Sequence, residues 1–255
     1  MKKPIILVGA GEMGGVFARG FLRSGYPVYP VTRNMDIAQM AEAIPAPALA
    51  LVAVGENDLH PTLDTLPAAW RNCTGLLQNE LLPRDWQAHH IEHPTVISVW
   101  FEKKKGQDYK VIIPSPVYGP GAELIASSLA SIDIPCKQLD NQDELLYELV
   151  RKNVYILTSN ITGLVTGVTV GELWSQHQDL ASEITNEVIE LQQWLTGTTL
   201  VNQPLIEGMV AAFNGDLDHK CMGRSAPGRL QRAIELADKA GLAVGKLREI
   251  AQQLD

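Results

Sequence analysis

Pro4-Ile5-Ile6-Leu7-Val8-Gly9-Ala10-Gly11-Glu12-Met13-Gly14 decides how this chain is read. A short apolar run ends in Gly-x-Gly-x-x-Gly, and Val16, Phe17, Gly20 and Phe21 follow at helical spacing. That is the form of a dinucleotide-binding turn, in which a strand hands over to a helix whose first N–H groups face a pyrophosphate. Each glycine has a mechanical part. Gly9 permits the tight turn, Gly11 lets backbone approach the phosphates with no Cβ in the way, and Gly14 lets the helix lie close on the strand. Gly9, Ala10, Gly11, Glu12, Met13 and Gly14 are therefore the candidate phosphate cradle. Glycines also cluster in ordinary loops, so the motif needs its context.

The context begins with Pro27-Val28-Tyr29-Pro30-Val31, a second strand-like run one helix later, which ends in Thr32-Arg33-Asn34. An Asp or Glu there would accept hydrogen bonds from the ribose of NAD, whereas an arginine can pair with the 2′-phosphate of NADP. The acid is missing and Arg33 is present, so Thr32 and Arg33 point to NADPH/NADP; a solvated loop arginine is the plainer alternative. Up to Asn141, strand-like runs (5–9, 28–32, 48–54, 75–78, 96–101, 110–113 and 136–139) alternate with helix-like segments. This is the pattern of an α/β fold with a doubly wound, mainly parallel sheet of the Rossmann type. From Gln142 the spacing becomes helical, as in Leu180, Ile184, Val188, Leu191 and Leu195, then Leu230, Ile234 and Leu236. Two domains are expected, 1–141 for the nucleotide and 142–255 all-helical.

The 255 residues, 45% of them hydrophobic, suffice for such cores, and a net charge of −8 gives no electrostatic footprint for nucleic acid. The largest basic block, Lys103-Lys104-Lys105 before Gly106, reads as a solvated hairpin turn. Cys73, Cys136 and Cys221 are odd in number and far apart, which fits a reducing, cytoplasmic setting rather than a disulfide framework. Met1-Lys2-Lys3 and the following apolar run resemble a signal peptide only until Glu12 and the glycines interrupt them. Residues 153–171 carry no charge, but their Asn, Ser and Thr side chains oppose lipid exposure and fit a buried helix; Gly163, Gly167 and Gly171 suggest close backbone packing. No membrane partner is expected. His89, His90, Glu92 and His93 read as a surface connection, since Pro94 opposes a helical ligand pair, and no metal is expected.

Reduction of a carbonyl by a nicotinamide requires a donor beside the oxygen that becomes negative. Lys152 stands where the charge-free helix begins, and Asn160 follows about two turns later, within ~80° of the same face. An ammonium and a carboxamide so placed could hold a carbonyl oxygen and a carboxylate. A helix-end lysine in water and an asparagine satisfying buried backbone are the alternative.

Together these residues resemble the ketopantoate reductase (2-dehydropantoate 2-reductase) family over nearly the full length. The family's glycine motif matches Gly9 to Gly14 and its NADP-phosphate arginine matches Arg33. An asparagine after the fourth strand matches Asn79 in Leu76-Leu77-Gln78-Asn79. Its Arg-Lys pair matches Arg151-Lys152, its downstream asparagine matches Asn160, and its Gly-Glu-Leu matches Gly171-Glu172-Leu173. The resemblance implies a helical C-terminal domain of the 6-phosphogluconate-dehydrogenase type, Lys152 as the catalytic residue, Asn79 near the nicotinamide and substrate, and Asn160 on the substrate. Family asparagines are replaced by Ile156 and Val170, the lysine after the third strand falls at Gly55 or Glu56, and the late acidic residue has no counterpart in 219–228. Fewer amides imply a less hydroxylated substrate than ketopantoate, with His219, Lys220 or Arg224 as candidates for its anionic end. The expected activity is NADPH-dependent reduction of a small 2-oxo acid or related carbonyl compound. A non-catalytic NADP(H)-binding sensor or interaction protein on the same fold is the alternative, and homo-oligomerisation is left open.

Overall fold

The computed structural model describes residues 2–254. The apolar run before the glycines forms β1 (Ile5–Val8), buried along its length, and α1 (Glu12–Arg23) turns Val16, Phe17, Gly20 and Phe21 inward. There follow β2 (Val28–Val31), α2 (Ile37–Ala43), β3 (Leu49–Val52), α3 (Leu59–Asp64), β4 (Thr74–Leu76), α4 (Pro83–Gln87) and β5 (Thr95–Ile97). Next come a small hairpin, β6 (Phe101–Glu102) with β7 (Lys110–Val111), then β8 (Ser115–Tyr118), α5 (Ala122–Ala130) and β9 (Cys136–Gln138).

The main sheet has the order β2-β1-β3-β4-β5-β8-β9. β1 to β5 are parallel, whereas β8 runs antiparallel to β5 and β9 parallel to β8. Leu49-Ala50-Leu51-Val52 is buried throughout, as a strand covered on both faces must be. Because β2 and β3 flank β1 on opposite sides, the order reverses there, and the crevice at the C-terminal ends of β1 and β3 is the ligand position of such sheets. Ile5, Leu7, Phe17, Phe21, Leu51, Ile125 and Leu129 belong to one core cluster. α1 lies so close to α5 that a Cβ on Gly20 would stand 2.7 Å from the Ser128 carbonyl oxygen.

Two strand expectations change. The run 96–101 is divided, since β5 stops at Ile97 and Phe101 starts the separate hairpin with β7. β8 escapes sequence reading because Pro116 lies within it, and proline argues against an internal strand. Its register explains the tolerance: Val117 pairs with Ile97, the last residue of β5, and beyond it the Pro116 carbonyl accepts from the Ser98 N–H at 2.9 Å.

The chain divides into one compact unit up to Glu148 and another from Leu149 onward, so the division falls inside α6 (Gln142–Thr166) rather than before it. The second unit continues with α7 (Val170–Gln176), α8 (Gln178–Thr196), α9 (Asn202–Phe213), α10 (Ala226–Ala240) and α11 (Gly245–Leu254). Four buried polar side chains of α6, those of Asn153, Thr158, Ser159 and Thr162, are matched. Asn153 donates to Gln192 Oε1 at 3.0 Å, Thr158 and Thr185 share a hydrogen bond of 3.1 Å, and Ser159 and Thr162 bond to carbonyls one turn back. Among the described residues no helix is long and apolar enough to cross a membrane.

The three glycines of this stretch divide their work. Gly167 has a φ of +67° and ends α6, with open space around it. A Cβ on Gly163 would stand 2.7 Å from Met222 N and 2.8 Å from Cys221 C. Gly163→Ala is therefore expected to destabilise the protein by about 1–3 kcal/mol through overpacking. Gly15→Ala, in a helix with nothing near the added methyl, is expected to stabilise by up to about 1 kcal/mol. Opposite shifts of the urea midpoint check the pair; equal shifts would remove close packing as the reason for Gly163.

Candidate active site

The glycine turn rests on its neighbours through backbone. Gly9 has a φ of +96°, its N–H reaches Val31 O at 3.0 Å, and a Cβ on it would stand 2.6 Å from Ala53 O, just past β3. A Cβ on Gly14 would collide with the Gly9 carbonyl oxygen. Gly11 differs: a Cβ there would meet nothing within 4 Å. Gly11 is also the N-cap of α1 and places no side-chain acceptor on the first-turn N–H groups. Free donors, the positive end of a helix and an open approach are what a pyrophosphate requires, so the cradle fits a dinucleotide.

Two ion pairs tie the hairpin loop after β5 to α1. Lys103 Nζ lies 3.1 Å from Glu12 Oε2 and donates to Lys104 O at 2.9 Å, and Asp108 pairs with Arg19 at 3.7 Å. A cavity of about 290 Å³ next to the cradle is lined by Gly11, Glu12, Arg19, Lys103, Asp108 and Tyr109. The basic triplet is thus a hairpin turn, as its sequence suggests, but Lys103 is mostly covered, with 19% of its side chain exposed. A larger cavity, about 440 Å³ with Trp86, Tyr118, Pro94 and Leu139 in its wall, opens at the N-terminal end of β5, away from the glycine turn.

Thr32 and Arg33 are exposed just past β2. The Arg33 guanidinium donates to Asp58 Oδ2 at 2.7 Å. Asp36, nearer in sequence, is occupied as the N-cap of α2, accepting from Ala38 N at 2.8 Å and Gln39 N at 3.3 Å. Past β4, Gln78 braces the strand ends by donating to Val52 O at 2.8 Å, and half-buried Asn79 follows it.

In the helical unit, Lys152 and Asn160 stand on α6 with a third group that sequence reading missed. Arg229 of α10 is 8% exposed and donates to Asn160 Oδ1 at 2.8 Å, while Asn160 Nδ2 donates to Cys221 O at 3.2 Å. Desolvation, helped by the charges of Arg151 and Arg229, lowers the Lys152 ammonium from its ordinary range to about 7. A lysine close to neutrality in the field of a buried guanidinium that also holds a carboxamide can pass a proton, and the guanidinium can hold an anion. The signal for Arg229 was in the sequence. Ala226, Leu230, Ala233 and Ala237 form the buried stripe of α10, and Arg229 falls on it, where a charge needs a reason.

Other candidates fall elsewhere. Lys220 and Arg224 are exposed, and half-buried His219 stands 3.8 Å from Asp216 and packs its ring 6.5 Å from that of Tyr155. Gly171-Glu172-Leu173 opens α7, where Thr169 and Glu172 form a reciprocal capping box and Gly171 leaves room for Leu217. Ile156 and Val170 are buried, so the apolar replacements belong to the core. His89 meets His60 at 2.8 Å and Asp64 at 3.0 Å, and among the described residues no group of three or more His, Cys, Asp or Glu could hold a metal.

No protein-family model and no curated protein sequence matches the chain. Solved structures do. The 2-dehydropantoate 2-reductase of Methylococcus capsulatus superposes with a TM-score of 0.70 at 12% identity, over 98% of this chain and 95% of that one. A ketopantoate reductase of Ralstonia eutropha JMP134 gives 0.68 at 14% identity, over 98% and 96%. D-mandelate dehydrogenase in complex with NADH gives 0.69 at 16% identity, over 99% and 97%. The chain has the ketopantoate reductase fold from end to end.

Proposed function

We propose that this protein is an NADPH-dependent reductase of a small 2-oxo acid or related carbonyl compound, acting in the cytoplasm. The observation that carries the reading is the grouping of Lys152, Asn160 and buried Arg229 in the helical unit of a chain whose sheet unit holds an open glycine cradle. Ketopantoate reductases and D-mandelate dehydrogenase, the neighbours in fold, act on 2-oxo or 2-hydroxy acids, which favours this class over other dinucleotide enzymes.

Gly9, Gly11 and Gly14 with the first turn of α1 hold the pyrophosphate, Arg33 recognises the 2′-phosphate, and Asn79 lies toward the nicotinamide. When bound, the reduced nicotinamide supplies the hydride for the carbonyl carbon. Lys152 Nζ hydrogen-bonds the carbonyl oxygen and passes it a proton as negative charge builds there. Arg229 offers a guanidinium to the substrate carboxylate, and Asn160, held by both Arg229 and Cys221 O, orients the two.

The test mixes purified protein and NADPH with a panel of 2-oxo acids and follows the nicotinamide absorbance. Turnover of at least one member is expected. NADPH binding without turnover on the whole panel would favour the sensor alternative, and failure to bind NADPH or NADH would end the reading. Arg229→Lys, which keeps the charge and loses the fork, is expected to raise KM for the best 2-oxo acid by about tenfold. KM for a neutral ketone should stay the same; an equal rise for both would remove Arg229 from carboxylate recognition.

A further inference from the structure

We propose that Asp58 sets the choice between NADPH and NADH, supplying from the loop after β3 the ribose-facing carboxylate that the end of β2 lacks. The inference rests on the dinucleotide reading above and deepens it. By sequence, Arg33 stands without an acid, which favours the phosphorylated cofactor. In the folded chain the acid is there. Asp58 ends the short 3₁₀ turn Glu56–Asp58, and its Oδ2 accepts from the Arg33 guanidinium at 2.7 Å.

Three observations define its part. β2 and β3 flank β1 on opposite sides in one parallel register, so residues just past their C-terminal ends share one rim of the sheet, the rim on which the glycine turn opens. Asp36, the other acid near Arg33, has its Oδ1 committed to two N–H groups of α2. Both partners of the pair are solvent-accessible, with 89% of the Arg33 and 49% of the Asp58 side chain exposed, so either can turn to a ligand. In water such a pair is weak, and a ligand can replace either half of it.

The consequences for the two cofactors are opposite. A 2′-phosphate must either displace Asp58 from Arg33 or share the guanidinium with it, and in both cases it carries its own negative charge near that carboxylate, which is repulsive. A 2′-hydroxyl can donate to Asp58 and leave the ion pair standing, the arrangement by which acids select NADH. Arg33 pulls toward NADPH and Asp58 against it, so the native chain accepts both dinucleotides, with a preference of less than about tenfold for NADPH.

The experiment measures dissociation constants of NADPH and NADH by calorimetry for the full chain and for Asp58→Asn, Asp58→Ala and Arg33→Ala, with no need for turnover. Asp58→Asn should raise the NADPH to NADH affinity ratio by about tenfold, and Asp58→Ala should add a loss of NADH affinity. Arg33→Ala should lower the ratio below one. An Asp58→Asn ratio within twofold of the native value would overturn the proposal while leaving dinucleotide binding intact. If the native protein bound neither nucleotide, the underlying reading would fall and take this inference with it. Both positions are surface-exposed, and unchanged circular dichroism should accompany each variant.

Discussion

Lys152→Met is expected to lower kcat for 2-oxo acid reduction by about a thousandfold with NADPH affinity unchanged. A positioned donor that meets charge only as it develops contributes to the barrier and little to ground-state binding, and losses of about 10²–10⁴-fold are usual for such groups. The ammonium is suited to the work because burial and two neighbouring guanidiniums, those of Arg151 and Arg229, bring it down to about 7. The pH dependence follows from the sign of that shift. The protonated lysine is the donor, so kcat/KM holds below about pH 7 and falls as pH rises through it, approaching tenfold per unit. Since Arg229 is one of the charges that lower it, Arg229→Met should move the break toward higher pH, provided the fold is kept. A Lys152→Met enzyme with native kcat, or a flat profile between pH 6 and about 9, would take Lys152 out of the proton-transfer role.

The parts legible in the sequence are those governed by near neighbours. Gly-x-Gly-x-x-Gly after an apolar strand constrains backbone within a few residues, and the turn and α1 stand where the motif puts them. Likewise the buried polar side chains of α6 could be expected from a charge-free run that was too polar for lipid. What escaped depends on residues far apart in the chain. Asp58 meets Arg33 only because β3 lies on the far side of β1 from β2. Arg229 meets Asn160 only because the fold brings α10 to α6, whereas Lys220 and Arg224, the more conspicuous cations in the sequence, are left in solvent. Lys103 looked solvated as one of three lysines, yet the hairpin turns it onto Glu12. Pro116 hid β8, because a rule about internal strands ignores where the neighbouring strand ends.

Gly11→Val is expected to weaken NADPH and NADH binding by a hundredfold or more while changing stability by less than about 1 kcal/mol. The two effects separate because Gly11 has no structural need to be glycine. Its φ of −76° and ψ of −169° are open to any residue, and a Cβ there touches no atom of the protein. The neighbouring positions behave in the opposite way. Valine at Gly9 would be strained at a φ of +96° and pressed against the Ala53 carbonyl, and at Gly14 against the Gly9 carbonyl, so either change should destabilise the fold whatever the protein binds. Gly11 is therefore the position where ligand and fold can be read apart. If the empty space over it receives a pyrophosphate, two added methyl groups exclude the ligand and leave thermal unfolding where it was. Native affinity for both dinucleotides in a folded Gly11→Val protein would mean that the phosphates rest elsewhere, and the α1 N-terminus would lose its assignment as their seat.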